Sequence, residues 1–136
     1  IMGFDQYHEP PEELPAETRT FARLCASLTE EAEAIGWYAQ RLAVEKDPEA
    51  LAVMANAVGE EYKHFSMDLE FLLRRTPEWQ KIAEGVLFQP GDIVAHGDTA
   101  EESAEDDGGP PVPGAPAVGG GVGGSLGIGS LRGTGL

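Results

Sequence analysis

Residues 51–72, LAVMANAVGEEYKHFSMDLEFL, place Leu51, Val58, Phe65 and Leu72 at intervals of seven, with Met54, Glu61 and Asp68 interleaved three residues on. The preceding stretch 21–42, FARLCASLTEEAEAIGWYAQRL, repeats the pattern. There Phe21, Leu28, Ile35 and Leu42 are spaced by sevens, and Leu24, Glu31 and Tyr38 are interleaved. Sevens split three and four are the a and d positions of a helical stripe, not the alternation of a strand. Two long helices decide the fold.

Working outward, Pro15 suits a first-turn position, so the spacing predicts a first helix from about Pro15 to Glu45. Asp47-Pro48 supplies an N-cap and a proline at N1, and restarts a second helix that runs to about Arg75. A turn of two or three residues folds the pair into an antiparallel hairpin. Each arm would be roughly 40–45 Å long at 1.5 Å per residue. Thr76-Pro77-Glu78 reads as a further cap, starting a short third helix through Val86, and Gln89-Pro90-Gly91 is expected to end the ordered part. The fold class is all-α: a long two-helix hairpin plus a short helix. A hairpin alone leaves half of each stripe wet, so dimerisation into a four-helix bundle is the expected remedy.

Composition agrees with this division. The 136 residues hold 24 acidic and 9 basic side chains, a formal charge of -15, which argues against nucleic acid and anionic membrane surfaces as partners. Residues 91–136 contain 14 of the 18 glycines and only one basic residue, Arg132. The expected organisation is an irregular lead-in over 1–14, a helical domain over 15–97, an acidic then Gly/Pro-rich linker over 98–124, and an apolar peptide over 125–136. The linker should be a disordered tether. Residues 125–132, SLGIGSLR, bring back Leu126, Ile128 and Leu131, which reads either as a tethered docking motif or as a frayed terminus. A single cysteine, Cys25, excludes an intrachain disulfide and suits a reducing compartment. There is no 18-residue apolar run, and no signal peptide is read at the N-terminus, so a soluble intracellular protein is expected.

Two carboxylates stand where leucines belong. Glu31 and Glu61 occupy d positions, flanked by Leu28 and Ile35 and by Val58 and Phe65. A carboxylate buried without a partner costs several kcal/mol, so such a group is paired, protonated or metal-bound. Glu31 lies fifteen residues before Lys46 at the turn and Glu61 fifteen after, so antiparallel packing sets them at one level. Glu61-Tyr62-Lys63-His64 is a Glu-x-x-His motif whose two side chains share one helical face. One Glu plus one Glu-x-x-His is half of the carboxylate-bridged di-metal site of ferritin-like bundles, and a two-fold dimer would supply the other half. Mixed carboxylate and imidazole donors suit iron or manganese better than structural zinc. Against this stand a wet groove and pairing of the glutamates with Lys63 or Arg41. Tyr38 is read first as a packing residue, and Glu30 and Glu33 lie off the stripe on an outer face. His8 and His96 fall in irregular segments and receive no role.

The stretch SLTEEAEAIGWYAQR (27–41), the segment EEYKH (60–64) and LLRRTPEWQKIAEGVLF (72–88) resemble encapsulated ferritins, two-helix members of the ferritin-like group carried as cargo in encapsulin shells. The tail segment SLGIGSLRG looks like an encapsulin cargo-loading peptide. The resemblance implies a ferroxidase, oxidising Fe(II) with oxygen at a di-iron centre between two protomers. Glu31, Glu61 and His64 match its ligands. Glu30 and Glu33 match acidic residues that bind metal on its way in, and Trp37 and Tyr38 match an aromatic pair beside the centre. It also implies a ring of five dimers, a decamer, loaded through residues 125–132 into a cytoplasmic encapsulin nanocompartment. Asn56, Gly59 and Lys63 depart from the more polar, charged or acidic residues of relatives. Rival classes are a non-catalytic cargo or adaptor protein, for which the core-facing glutamates have no use, and another di-metal reaction such as peroxide reduction.

Overall fold

The structure, a computed structural model, describes residues 7–107. The readings of residues 108–124 as a tether and of 125–136 as a docking peptide lie outside the described residues, as do positions 1–6 of the lead-in. After a single 3-10 turn at Pro11–Glu13, four helices follow: α1 (Ala16–Val44), α2 (Pro48–Arg75), α3 (Pro77–Val86) and α4 (Ile93–Asp106). The two long helices form the antiparallel hairpin, and their bounds differ from the sequence reading by a residue at most.

The turn between them is clamped by carboxylates. Glu45 Oε1 accepts hydrogen bonds from the backbone N–H of Lys46 at 2.8 Å and of Asp47 at 2.9 Å. Asp47 then caps α2, accepting from the Ala50 N–H at 2.8 Å, with Pro48 in the first turn. Such a cap contributes about 1 kcal/mol and, more usefully, fixes where the second helix starts. Thr76 was expected to act in the same way at α3, and does not. Its hydroxyl makes no capping bond, and its Oγ1 is buried without a partner. Pro77 in the first turn does the helix-starting work there.

The largest departure from expectation lies beyond Gly91. The acidic stretch 98–107 is not the start of a linker: residues 93–106 form α4, which packs on α3. Asp92 initiates it, accepting from the N–H groups of Val94 and Ala95 at 2.9 and 3.1 Å. His96 Nε2 lies 2.8 Å from the Pro90 carbonyl, and Lys81 on α3 pairs with Asp107 at 2.8 Å. Only small residues make this packing possible. Ala100 and Ala104 are buried, and Ala100 sits over Gly85, where an added β-carbon would lie 2.5 Å from the Ala100 Cβ. The six carboxylates of 98–107 hid a helix whose buried face consists of two alanines.

The hairpin's own packing is incomplete. Among the described residues Val58, Leu72 and Leu73 are its buried apolar side chains, and no residue of α1 is fully buried. Trp37, Val53, Tyr62 and Met67 are more than half exposed along it. No described helix is long and apolar enough to cross a membrane.

Gly85→Val should separate α4 from α3 at a cost of about 1–3 kcal/mol, the range for overpacking. Amide hydrogen exchange across residues 93–106 should accelerate while that of 48–75 is unchanged. Equal protection of α4 in both proteins would refute the close-contact account.

Candidate metal centre

α1 brings Glu31 to the seam and α2 brings Glu61 and His64. Because the turn is short and clamped at both ends, the two helices pass in the register expected from the sequence. The result is one cluster: the three residues each offer a ligand atom, and these atoms all lie within 4.8 Å of one another. His64 Nδ1 is 3.6 Å from Glu61 Oε2 and 3.9 Å from Glu31 Oε2. The two glutamate side chains are each 22% exposed and His64 is 46% exposed, so the cluster opens to one side of the hairpin.

The electrostatics identify what the cluster lacks. Glu31 is held above the ordinary glutamate range, first by its contact with the Glu61 carboxyl, with which it can share a proton, then by burial and by repulsion from Glu61 and Asp68. His64 offsets only part of this. The alternative cations are occupied elsewhere: Lys63 pairs with Glu60, both exposed, and the Arg41 guanidinium lies 5.3 Å from the centre of the Tyr38 ring. Two carboxylates and an imidazole, short of positive charge and converging on one point, suit a divalent cation. Cys25 is outside the cluster, so the donors are oxygen and nitrogen alone.

The other expected site residues fall apart from it. Tyr38 is half-buried under Arg41 and outside the three-residue cluster. Trp37 is 52% exposed, and Glu30 and Glu33 lie exposed on the outer face of α1. Asp68 stands on the same stripe as Glu61 but outside the three-residue cluster. Its Oδ2 is buried without a hydrogen-bond partner. The stripe position of an acidic residue was the signal that could have found it.

Comparison with known proteins adds to this geometry. A family model described as EncFtn-like matches residues 6–90. An encapsulated ferritin-like protein from Rhodospirillum rubrum is 42% identical over 126 residues, covering 93% of this chain and 87% of that protein. A ferritin-like protein from Thermotoga maritima is 37% identical over 105 residues, covering 77% and 92%. A crystal structure of a protein from Nitrosomonas europaea superposes with a TM-score of 0.63 at 40% identity, covering 65% of this chain and 98% of that one.

The raised Glu31 makes the metal-free fold sensitive to pH in a definite direction. Folded chains hold this proton to higher pH than unfolded ones, so the group's contribution to stability falls as pH rises from about 4.3 through the raised value, then levels off. Urea midpoints of wild type and Glu31→Gln, compared between about pH 4 and 7, should diverge in favour of the variant as pH rises. A constant difference across that range would show that Glu31 is not perturbed.

Proposed function

The chain belongs to the EncFtn-like family, and from that premise we propose that it is a ferroxidase whose centre is completed between two copies. The observation that carries the reading is the convergence of Glu31, Glu61 and His64 from two helices onto one point. Three donors on an open side of the hairpin form a half-site; a two-fold axis passing that side would double them to four carboxylates and two imidazoles. Such a set can hold two Fe(II) ions with carboxylates between them.

Iron is the substrate of this reaction. Each Fe(II) loses one electron and dioxygen accepts them. The chain's contribution is to bind and orient. Glu31 and Glu61 supply negative charge that favours Fe(III) over Fe(II), and a proton held by the raised Glu31 would be released when the cation arrives. His64 holds its Nδ1 toward both carboxylates and contributes a neutral donor. Exposed Glu30 and Glu33 would attract cations on the way in, and Tyr38 and Trp37 would flank the centre in the assembled dimer. An open ring of such dimers, a decamer of five, has no cavity for mineral. Ferric product would therefore pass to the interior of an encapsulin shell, to which residues 125–132 tether the chain. The name of the R. rubrum relative supports an encapsulated, ferritin-like role, and that of the T. maritima relative a ferritin-like one.

Glu31→Ala, Glu61→Ala and His64→Ala should each cut fast Fe(II) oxidation by more than the about 10- to 100-fold that loss of an outer-shell partner costs. Stopped-flow absorbance on adding Fe(II) in air measures this, and wild-type rates in all three variants would sink the assignment. Removal of residues 125–136 should abolish co-purification with a shell protein and leave oxidation intact. Retained co-purification would place the docking determinant elsewhere.

A further inference from the structure

Asp68 follows Glu61 by seven residues and His64 by four, so it stands on the seam stripe of α2, one turn past the histidine. Helical side chains lean toward the N-terminus of their helix, which tips this carboxylate back toward the His64 turn. Its Oδ2 is shielded from solvent and accepts no hydrogen bond. A buried carboxylate oxygen without a donor is costly, and folded proteins keep one only where something else compensates it. The basic side chains of the same helix do not do so. Lys63 pairs with Glu60, Arg74 with Glu70 at 2.8 Å, and the Arg75 guanidinium lies 3.5 Å from the centre of the Phe71 ring. Asp68 does act across the seam, since its charge adds to the repulsion felt by Glu31.

We infer that Asp68 is a positioning residue of the metal centre, adding a third negative charge to the seam of each hairpin that strengthens divalent-cation binding by Glu31, Glu61 and His64 without ligating the ion. In the metal-free chain its buried Oδ2 has no hydrogen-bond donor among the described residues; a cation bound beside it would compensate that oxygen. The residue thus links the fold's stability to occupancy of the centre. The inference rests on the metal-centre reading above.

Co(II), whose visible bands report its ligands, is the probe, titrated into the full chain and into Asp68→Asn and Asp68→Glu. The asparagine variant should melt at higher temperature without metal and bind Co(II) about 10- to 100-fold more weakly, so that its thermal gain on adding Co(II) shrinks. Its bound spectrum should match wild type. The glutamate variant, which restores the charge, should recover most of the affinity. Wild-type affinity in Asp68→Asn, or equal weakening in both variants, would overturn the inference. A changed Co(II) spectrum would make Asp68 a ligand and overturn the positioning role. Failure of the wild-type chain to bind Co(II) at all would instead remove the centre, and this inference with it.

Discussion

Two carboxylates that face each other across an apolar seam set the terms for the rest of this molecule. Glu31 and Glu61 repel, and burial sharpens the repulsion, so the hairpin would be better served by two leucines if stability were its only requirement. The nearby His64 offsets part of the penalty without removing it. What remains is a fold with a standing affinity for positive charge at one level of its length. Asp68, one turn past His64, keeps a buried oxygen with no hydrogen-bond partner among the described residues.

That arrangement depends on register, and register depends on the turn. A slip of one residue between α1 and α2 would rotate one glutamate about 100° around its helix, out of the seam. The Glu45 side chain bonded to two successive N–H groups and the Asp47 cap leave little room for such a slip. Three small polar interactions, far from the cluster along the hairpin, therefore hold the register in place.

Unfinished packing is the other consequence. A two-helix hairpin cannot enclose its own stripes, and Trp37, Val53, Tyr62 and Met67 remain largely in solvent. α3 and α4 do not repair this, because α4 packs on α3 rather than along the hairpin. The open side of the metal cluster and the exposed apolar residues belong to the same two helices. A second hairpin docked on that side would satisfy both needs at once, as the proposed two-fold dimer requires.

The heptad spacing, the Asp47-Pro48 restart and the equal distances of Glu31 and Glu61 from the turn were legible because they are local or periodic. Helical geometry converts such intervals directly into position. The Glu-x-x-His motif was legible for the same reason, and the resemblance of residues 27–41 and 60–64 to a known family agreed with it. α4 was not legible: its acidic outer face dominates the composition, and its buried face is Ala100, over Gly85, and Ala104, which carry no hydrophobic pattern. Neither was the isolation of Thr76 and Asp68, since whether a polar atom finds a partner is a property of the packed neighbourhood. By itself, then, the sequence determined two helices, their register and the three residues that converge. Only the tertiary structure decided that Glu31 is raised by its neighbours, that an Asp68 oxygen lacks a partner among the described residues, and that residues 93–106 pack on α3, because those depend on contacts between segments that no interval in the sequence encodes.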